Sequence, residues 1–366
     1  MRLLLTVDSV GGVWQYGLDL ARALVGHDVE TVLAHLGPSP TDVQRAEARA
    51  VPAVTYVETG LPLDWLCDGP APVLAAGGAI GELAQAHGVD LVQLNMPTLA
   101  AAAPPGVPVL AVTHGCVATW WQAAKGGEPL AAEYRWHRRL TSEGLHSADL
   151  VVAPTLAYAR MVARTYGLRR MPTPVYNGRA LAAPPRAAAH DCAFTAGRLW
   201  DRVKNTALLD RVAGHLAVPF HAAGPAIGPH GETVVMDNLH HLGVLDGTSL
   251  GRRLGSQPVF VSAASFEPFG LAVLEAAAAG CPLVLSDIPT FRELWDGAAL
   301  FVGGEDPRDW ALAIDGIIAD GALRQQLCAT ARERAHRYGP AAAAAAMVPL
   351  YTGLIAARRP GGKVAA

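Results

Sequence analysis

Short, almost wholly apolar runs alternate with Ala/Leu/Arg-rich segments along this chain, and that alternation restricts its fold more than any other feature. The runs are LLLTVD at 3–8, VETVLAHL at 29–36, VTYVE at 54–58, VDLVQLN at 89–95, VPVLAVTHG at 107–115 and ADLVVAPT at 148–155. Continuous hydrophobicity, as opposed to strict alternation, marks strands buried on both faces, as in a parallel sheet. Helix-favouring stretches such as 79–87 and 128–146 fall between them. The pattern predicts a doubly wound α/β sheet, which binds ligands at the C-terminal ends of its strands.

The pattern breaks once. PTPVYNGR at 172–179 and ALAAPPRAAAHD at 180–191 are rich in Pro and Ala, a composition that reads as a linker. It then restarts with CAFTAGR at 192–198, VPFHAAGP at 218–225 and HHLGVL at 240–245. A chain of 366 residues is long enough for two cores. The expected domains are 1–178 and 190–339, with a last helical segment at 340–366.

With 51% hydrophobic residues, 17% charged residues and a net charge of −3, the chain lacks the basic excess of a nucleic-acid binder. Its cysteines, at 67, 116, 192, 281 and 328, make no CxxC pair and are odd in number, which fits a reducing cytoplasm and argues against a zinc site. MRLLLTVDSV at the N-terminus has too short an apolar run for a signal peptide. The Ala-rich stretch 340–357 contains Pro349 and is weakly hydrophobic, so membrane contact is expected to be peripheral at most.

Two places carry candidate chemistry in the first half. Gly11 and Gly12 follow the first strand and open a helix, which lets backbone approach a ligand, although the GxGxxG fingerprint is absent. His114 ends the strand run at 107–115 and is either a structural hydrogen bonder or a site residue. Trp14, Trp120, Trp121 and Trp136 are either a platform for sugar rings or packing between helix and sheet. RWHRR at 135–139 is either a solvated helix face or a contact for a phosphorylated or membrane-bound acceptor.

The second half centres on residues 261–293. Val259 to Val261 close a strand, EPFG at 267–270 makes a loop, and Leu271 to Ala279 form a helix ended by Gly280. The unpaired amides of Phe269, Gly270 and Leu271, with the helix dipole, favour an anion such as phosphate. Glu267 and Glu275 stand eight residues apart, roughly 10 Å along a helix. That is too far to share a proton or metal, but suits the two ends of a ligand whose phosphates lie between. The alternative is a helix cap and an ordinary solvated glutamate. Earlier in this half, Arg198 and Lys204 lie six residues apart at a strand–helix junction. Only three lysines occur among the 29 basic residues, and two such cations can grip one diphosphate.

EPFGLAVLE followed by GCPLVLSDIPTFRE resembles the retaining nucleotide-sugar glycosyltransferases of family 4. The resemblance implies the GT-B fold, two Rossmann-like domains facing each other across a cleft. It implies a hexosyltransferase that moves a sugar from a nucleotide-sugar donor, a UDP-sugar as first guess, to a small-molecule or glycan acceptor with retention, needing neither cofactor nor metal. Under it, Arg198 and Lys204 bind the donor diphosphate, Val244 marks the loop that holds the base, Glu275 holds the ribose, Glu267 orients the sugar hydroxyls and His114 lies beside the transferred sugar. The Gly11–Gly12 loop lies near the donor phosphates and the acceptor, and the last segment, 340–366, crosses back to the first domain. The segment DGTSLGRRL after LGVL departs from the family's acidic turn. The alternatives are a sugar-nucleotide epimerase or hydrolase on the same fold, and a non-catalytic partner subunit.

Overall fold

A computed structural model describes residues 1–102, 106–180 and 190–358. Along the chain the elements are β1 (Arg2–Asp8), α1 (Gly12–Leu24), β2 (Glu30–Leu36), α2 (Asp42–Arg49), β3 (Val54–Glu58), α3 (Pro70–Ala86), β4 (Leu91–Leu94), β5 (Val109–Val112), α4 (Val117–Lys125), α5 (Arg135–Ser147), β6 (Leu150–Ala153), α6 (Leu156–Tyr166) and β7 (Thr173–Pro174). There follow β8 (Ala193–Ala196), α7 (Thr206–Ala213), β9 (Phe220–Ala223), β10 (His240–His241), α8 (Gly247–Gly255), β11 (Val259–Ser262), α9 (Leu271–Ala279), β12 (Leu283–Ser286), α10 (Pro289–Trp295), β13 (Leu300–Val302), α11 (Pro307–Ala319), α12 (Gly321–Ala335) and α13 (Pro340–Arg358).

The chain divides into two compact units, Met1–Arg179 with the segment from Gly339 onward, and Ala180–Tyr338. The first holds a parallel sheet in the order β3-β2-β1-β4-β5-β6-β7. Its central strand β1 reads RLLLTVD because it is covered on both faces: Leu3, Leu4 and Leu5 are all buried. One face packs on α1 through Leu18, Leu20, Ala21 and Leu24, the other on Val73, Ala76 and Ile80 of α3. The second unit repeats the plan in the order β10-β9-β8-β11-β12-β13, again all parallel.

Several boundaries differ from the sequence expectation. PTPVYNGR, read as linker although its residues up to 178 fall in the expected first domain, belongs to the first unit: Thr173–Pro174 form its edge strand, Val175 donates to Ala153 O at 2.9 Å, and Val175 and Asn177 are buried. Proline is tolerated there because an edge strand has a side without ladder bonds. Residues 181–189 of the expected linker, and 359–366 of the expected last segment, lie outside the described residues. The helix read over 128–146 starts only at Arg135, after Gly126 and Gly127 take left-handed backbone. β10 shrinks to two residues because Gly243 turns the chain at φ +69°.

α13 returns to the first unit and buries Ala344, Met347 and Tyr351 in the core that holds α1. Gly321–Arg358 contains an 18-residue window of mean hydropathy 1.5 that is 22% buried, apolar and long enough to cross a membrane by length and composition alone. Here the inner face of α13 is taken up by protein.

Two helix glycines test this packing. A Cβ at Gly144 in α5 would lie 1.9 Å from Pro97 O, whereas one at Gly78 in α3 meets nothing within 4 Å. Gly144→Ala is expected to destabilise by about 1–3 kcal/mol through overpacking, and Gly78→Ala to stabilise by about 0.5–1 kcal/mol through backbone entropy. Urea unfolding of the two variants checks both signs.

Candidate functional site

In each unit the candidate residues collect at the C-terminal edge of the sheet. In the first unit β1, β4 and β5 are neighbours, and Gly11–Gly12, Asn95 and His114 follow them directly. The β1–α1 loop is tied down by Val10 N donating to Asp8 Oδ1 at 2.9 Å and Ser9 Oγ donating to Pro38 O at 2.8 Å. Gly11 caps α1 with no side chain, and Gly12 is exposed.

His114 is half-buried. Its ring stands edge-on to Tyr16 at 4.5 Å between centroids, and its Nε2 lies 3.1 Å from Asn95 Oδ1. Burial pushes its pKa down to about 4, so the ring is neutral near pH 7. Asn95 was visible in the sequence only as the end of VDLVQLN. Its signal is positional, a polar side chain one strand over from His114 at the same sheet edge.

The tryptophans divide. Trp14 is 1% exposed and packs edge-on against His35 and Tyr56, with Nε1 donating to Glu47 Oε2 at 3.3 Å; it is core, and no sugar ring can reach its faces. Trp120, Trp121 and Trp136 remain half-buried, with Trp121 Nε1 donating to Glu128 O at 3.0 Å. In RWHRR, Arg135, Arg138 and Arg139 form an exposed helix face, while His137 is buried with Nε2 3.1 Å from Asp64 Oδ2.

In the second unit Arg198 follows β8, Val244 follows β10, and Glu267 to Leu271 follow β11. Ser265 N donates to Val203 O at 2.9 Å, which stitches the loop before α9 to the turn carrying Lys204. As a result Lys204 Nζ donates to Glu267 Oε2, with both side chains about four-fifths buried. Arg198 Nη2 donates to Asp201 Oδ2 at 2.8 Å; Asp201 is 3% exposed and also caps the turn at Arg202–Lys204. The sequence suggested two cations awaiting an anion, but the structure gives each a carboxylate. Lys204 has three donors and Arg198 five, so an incoming diphosphate can share them without breaking the pairs.

At the start of α9, Gly270 takes φ +90°, where a Cβ would press on Glu267 Cγ and the Phe291 ring at 3.2 Å. Phe269 itself is core, its ring edge-on to Tyr338 at 5.7 Å, so only its backbone remains for a ligand. The first amides of α9, those of Leu271, Ala272 and Val273, lack intrahelical acceptors by construction, and the ladder begins with Leu274 N donating to Gly270 O at 3.1 Å. Glu275 is half-buried within α9 between buried Leu274 and Ala276. The Val244 side chain is 74% exposed, and the preceding Gly243 O accepts from Gly224 N at 2.8 Å.

Two further glycines were not singled out in the sequence. A Cβ at Gly224 would lie 1.8 Å from Gly197 O, so the ends of β8 and β9 touch backbone to backbone. Their signal was the repeated Ala-Gly after a strand, in TAGR and AAGP. Among the described residues no three His, Cys, Asp or Glu side chains converge as a metal site requires.

The His114 environment has a thermodynamic consequence. The folded-state pKa lies below the ordinary value of 6.5, so the stability owed to the neutral ring is complete above about pH 6.5 and is lost as the pH falls toward 4, up to about 3 kcal/mol. Urea unfolding between pH 7 and 4.5 is expected to show the wild type losing about 2 kcal/mol more stability than His114→Gln. Parallel curves would contradict the assignment.

Comparison with known proteins joins these observations. Residues 10–182 match the model of Glycosyltransferase Family 4, and residues 232–334 match Glycosyl transferases group 1. A D-inositol 3-phosphate glycosyltransferase of Xylanimonas cellulosilytica is 39% identical over 87 residues, 23% of this chain and 21% of that protein. A phosphatidyl-myo-inositol mannosyltransferase of Mycolicibacterium smegmatis is 35% identical over 117 residues, 31% of this chain and 30% of that protein. These matches therefore span under a third of either relative. Among solved structures, sucrose-phosphate synthase from Thermosynechococcus elongatus superposes with a TM-score of 0.77 at 18% identity, covering 98% of this chain and all of that one. The Anabaena protein HepE in complex with UDP and glucose gives 0.76 at 14% identity, covering 96% and 100%. The fold is GT-B, and with both family models matched in order, one on the first unit and one on the second, the chain belongs to the glycosyltransferases of the family 4 type.

Proposed function

We propose that this protein transfers a sugar from a nucleotide-sugar donor, a UDP-sugar first among the choices, to a hydroxyl of a small-molecule or glycan acceptor with retention at the anomeric carbon. The observation that carries the proposal is the charged cluster at the C-terminal edge of the second sheet: Lys204 held by Glu267, Arg198 held by Asp201, and the N-terminus of α9 beside them. A cation pair with oriented amides stabilises negative charge growing on a leaving diphosphate, so the reaction needs no divalent metal in this reading. HepE has been solved with UDP-glucose, which supports trying that donor first.

Glu275 holds the ribose and the backbone around Val244 meets the base. Glu267 orients the sugar hydroxyls with the carboxylate oxygen that Lys204 leaves open. His114, neutral, hydrogen-bonds a hydroxyl of the sugar or acceptor. The leaving phosphate takes the acceptor proton on the same face, and no side chain acts as nucleophile. The five free thiols support a cytoplasmic setting.

The test is nucleoside diphosphate release from UDP-glucose, UDP-N-acetylglucosamine, GDP-mannose and ADP-glucose, each with a panel of sugar and polyol acceptors. Glu267→Gln is expected to cut acceptor-dependent release by about 10²-fold or more. It should bind the free nucleoside diphosphate as tightly as the wild type or tighter, since a competing carboxylate is gone from Lys204. Undiminished transfer in that variant would overturn the role given to Glu267.

A further inference from the structure

The polar side chains around His114 form one chain of hydrogen bonds whose proton positions can be worked out from a single backbone group. Asn95 Nδ2 lies 2.6 Å from Thr6 O. A peptide carbonyl only accepts, which fixes the amide: nitrogen toward Thr6, oxygen toward His114. Thr6 Oγ1 accepts from Asn95 N at 2.9 Å, so the residue is pinned twice to β1.

Two groups then face Asn95 Oδ1, which carries no proton. Gln93 Nε2 is 3.3 Å away and His114 Nε2 is 3.1 Å away, and both must donate. The second amide proton of Gln93 goes to Tyr16 Oη at 3.2 Å, and Gln93 Oε1 accepts from Tyr351 Oη at 2.5 Å. Gln93 and Tyr351 are both 0% exposed. A buried amide that uses both its protons and its oxygen has no reason to flip. Tyr351 comes from α13, 237 positions after His114, so the C-terminal helix closes a network that ends on the histidine.

We propose that Asn95 is a positioning residue that holds His114 as the Nε2–H tautomer, leaving Nδ1 as a hydrogen-bond acceptor for a ligand hydroxyl, and that Tyr351 sets this orientation through Gln93. The proposal rests on the reading of His114 as a ligand-contacting residue and specifies which nitrogen makes the contact. An imidazole held the other way would present a donor to the ligand, and a hydroxyl would then have to accept. A hydroxyl of the sugar being transferred that gives its proton to Nδ1 is held in one rotamer, which fixes the ring while the attacking hydroxyl keeps its own proton for the leaving phosphate.

The test has a structural and a kinetic arm. In protein carrying 15N-labelled histidine, long-range 1H–15N spectra separate protonated from unprotonated ring nitrogens. The signals that vanish in His114→Gln assign His114 among the thirteen histidines. The expected result is an unprotonated Nδ1 in the wild type. It should persist in Asn95→Asp, whose carboxylate still accepts, and turn into a tautomer mixture in Asn95→Leu. In the same variant kcat for transfer should fall about tenfold with the donor KM little changed, and Tyr351→Phe should show both effects more weakly.

An Nδ1–H tautomer in the wild type, or an Nε2–H tautomer unchanged in folded Asn95→Leu, overturns the proposal whatever the activity. A lost tautomer with transfer intact, while His114→Gln is inactive, overturns the positioning role and leaves the function standing. Full transfer by His114→Gln overturns the reading of His114 itself, and the proposal with it.

Discussion

The ion pair between Lys204 and Glu267 is the interaction on which the geometry of the second unit's candidate site depends. It joins two loops 63 residues apart in sequence, and it forms because Ser265 N reaches Val203 O and because Gly270 accepts a backbone conformation that a side chain would resist. Left alone in a site four-fifths buried, either charge would be expensive. Paired, they satisfy each other and hold the loop before α9 in place, with donors and one carboxylate oxygen to spare. The same device recurs at Arg198 and Asp201. Each cation of the candidate site is thereby balanced by a carboxylate.

The first unit solves a different problem, the placement of a neutral histidine. Burial lowers the pKa of His114, and its Nε2 meets the Asn95–Gln93–Tyr351 chain of hydrogen bonds. Each polar atom in that chain has a partner, as a low-dielectric interior demands. α13 thereby has two tasks in the core: Ala344 and Met347 supply apolar packing against α1, and Tyr351 supplies the terminal donor of a polar network. A helix whose sequence is rich in alanine reads as filler, yet its one tyrosine reaches Gln93 on β4.

Much of this was legible in the sequence, and what was not has a physical reason. Unbroken apolar runs located β1, β2, β4 and β5, because strands buried on both faces leave no polar alternation. The Ala-rich stretch ended by Gly280 gave α9 with its limits, since Gly280 sits at φ +81°. Lys204 stood out because lysine is scarce here. The pairing of Lys204 with Glu267 and of Arg198 with Asp201 could not be read, since partners are a tertiary property and both carboxylates had other plausible roles. Trp14 followed a glycine turn, where an aromatic ring suggested a ligand platform, but its place on α1 points it inward. Asn95 was hidden for the opposite reason: it ends a strand run in which every neighbour speaks of packing, and only the strand order β1-β4-β5 brings it beside His114. β7 was lost behind two prolines, which local propensity reads as linker and an edge strand tolerates.

The most direct test of the central claim is calorimetric titration of UDP, GDP, ADP, dTDP and inorganic pyrophosphate into the wild-type chain and into Lys204→Met, without added metal. The account predicts that one nucleoside diphosphate binds clearly better than the others and better than pyrophosphate, and that Lys204→Met loses about tenfold or more of that affinity, as the removal of one charge-assisted contact implies. If no nucleoside diphosphate binds the wild type, or if Lys204→Met binds it equally well, the charged edge of the second sheet is not a donor site.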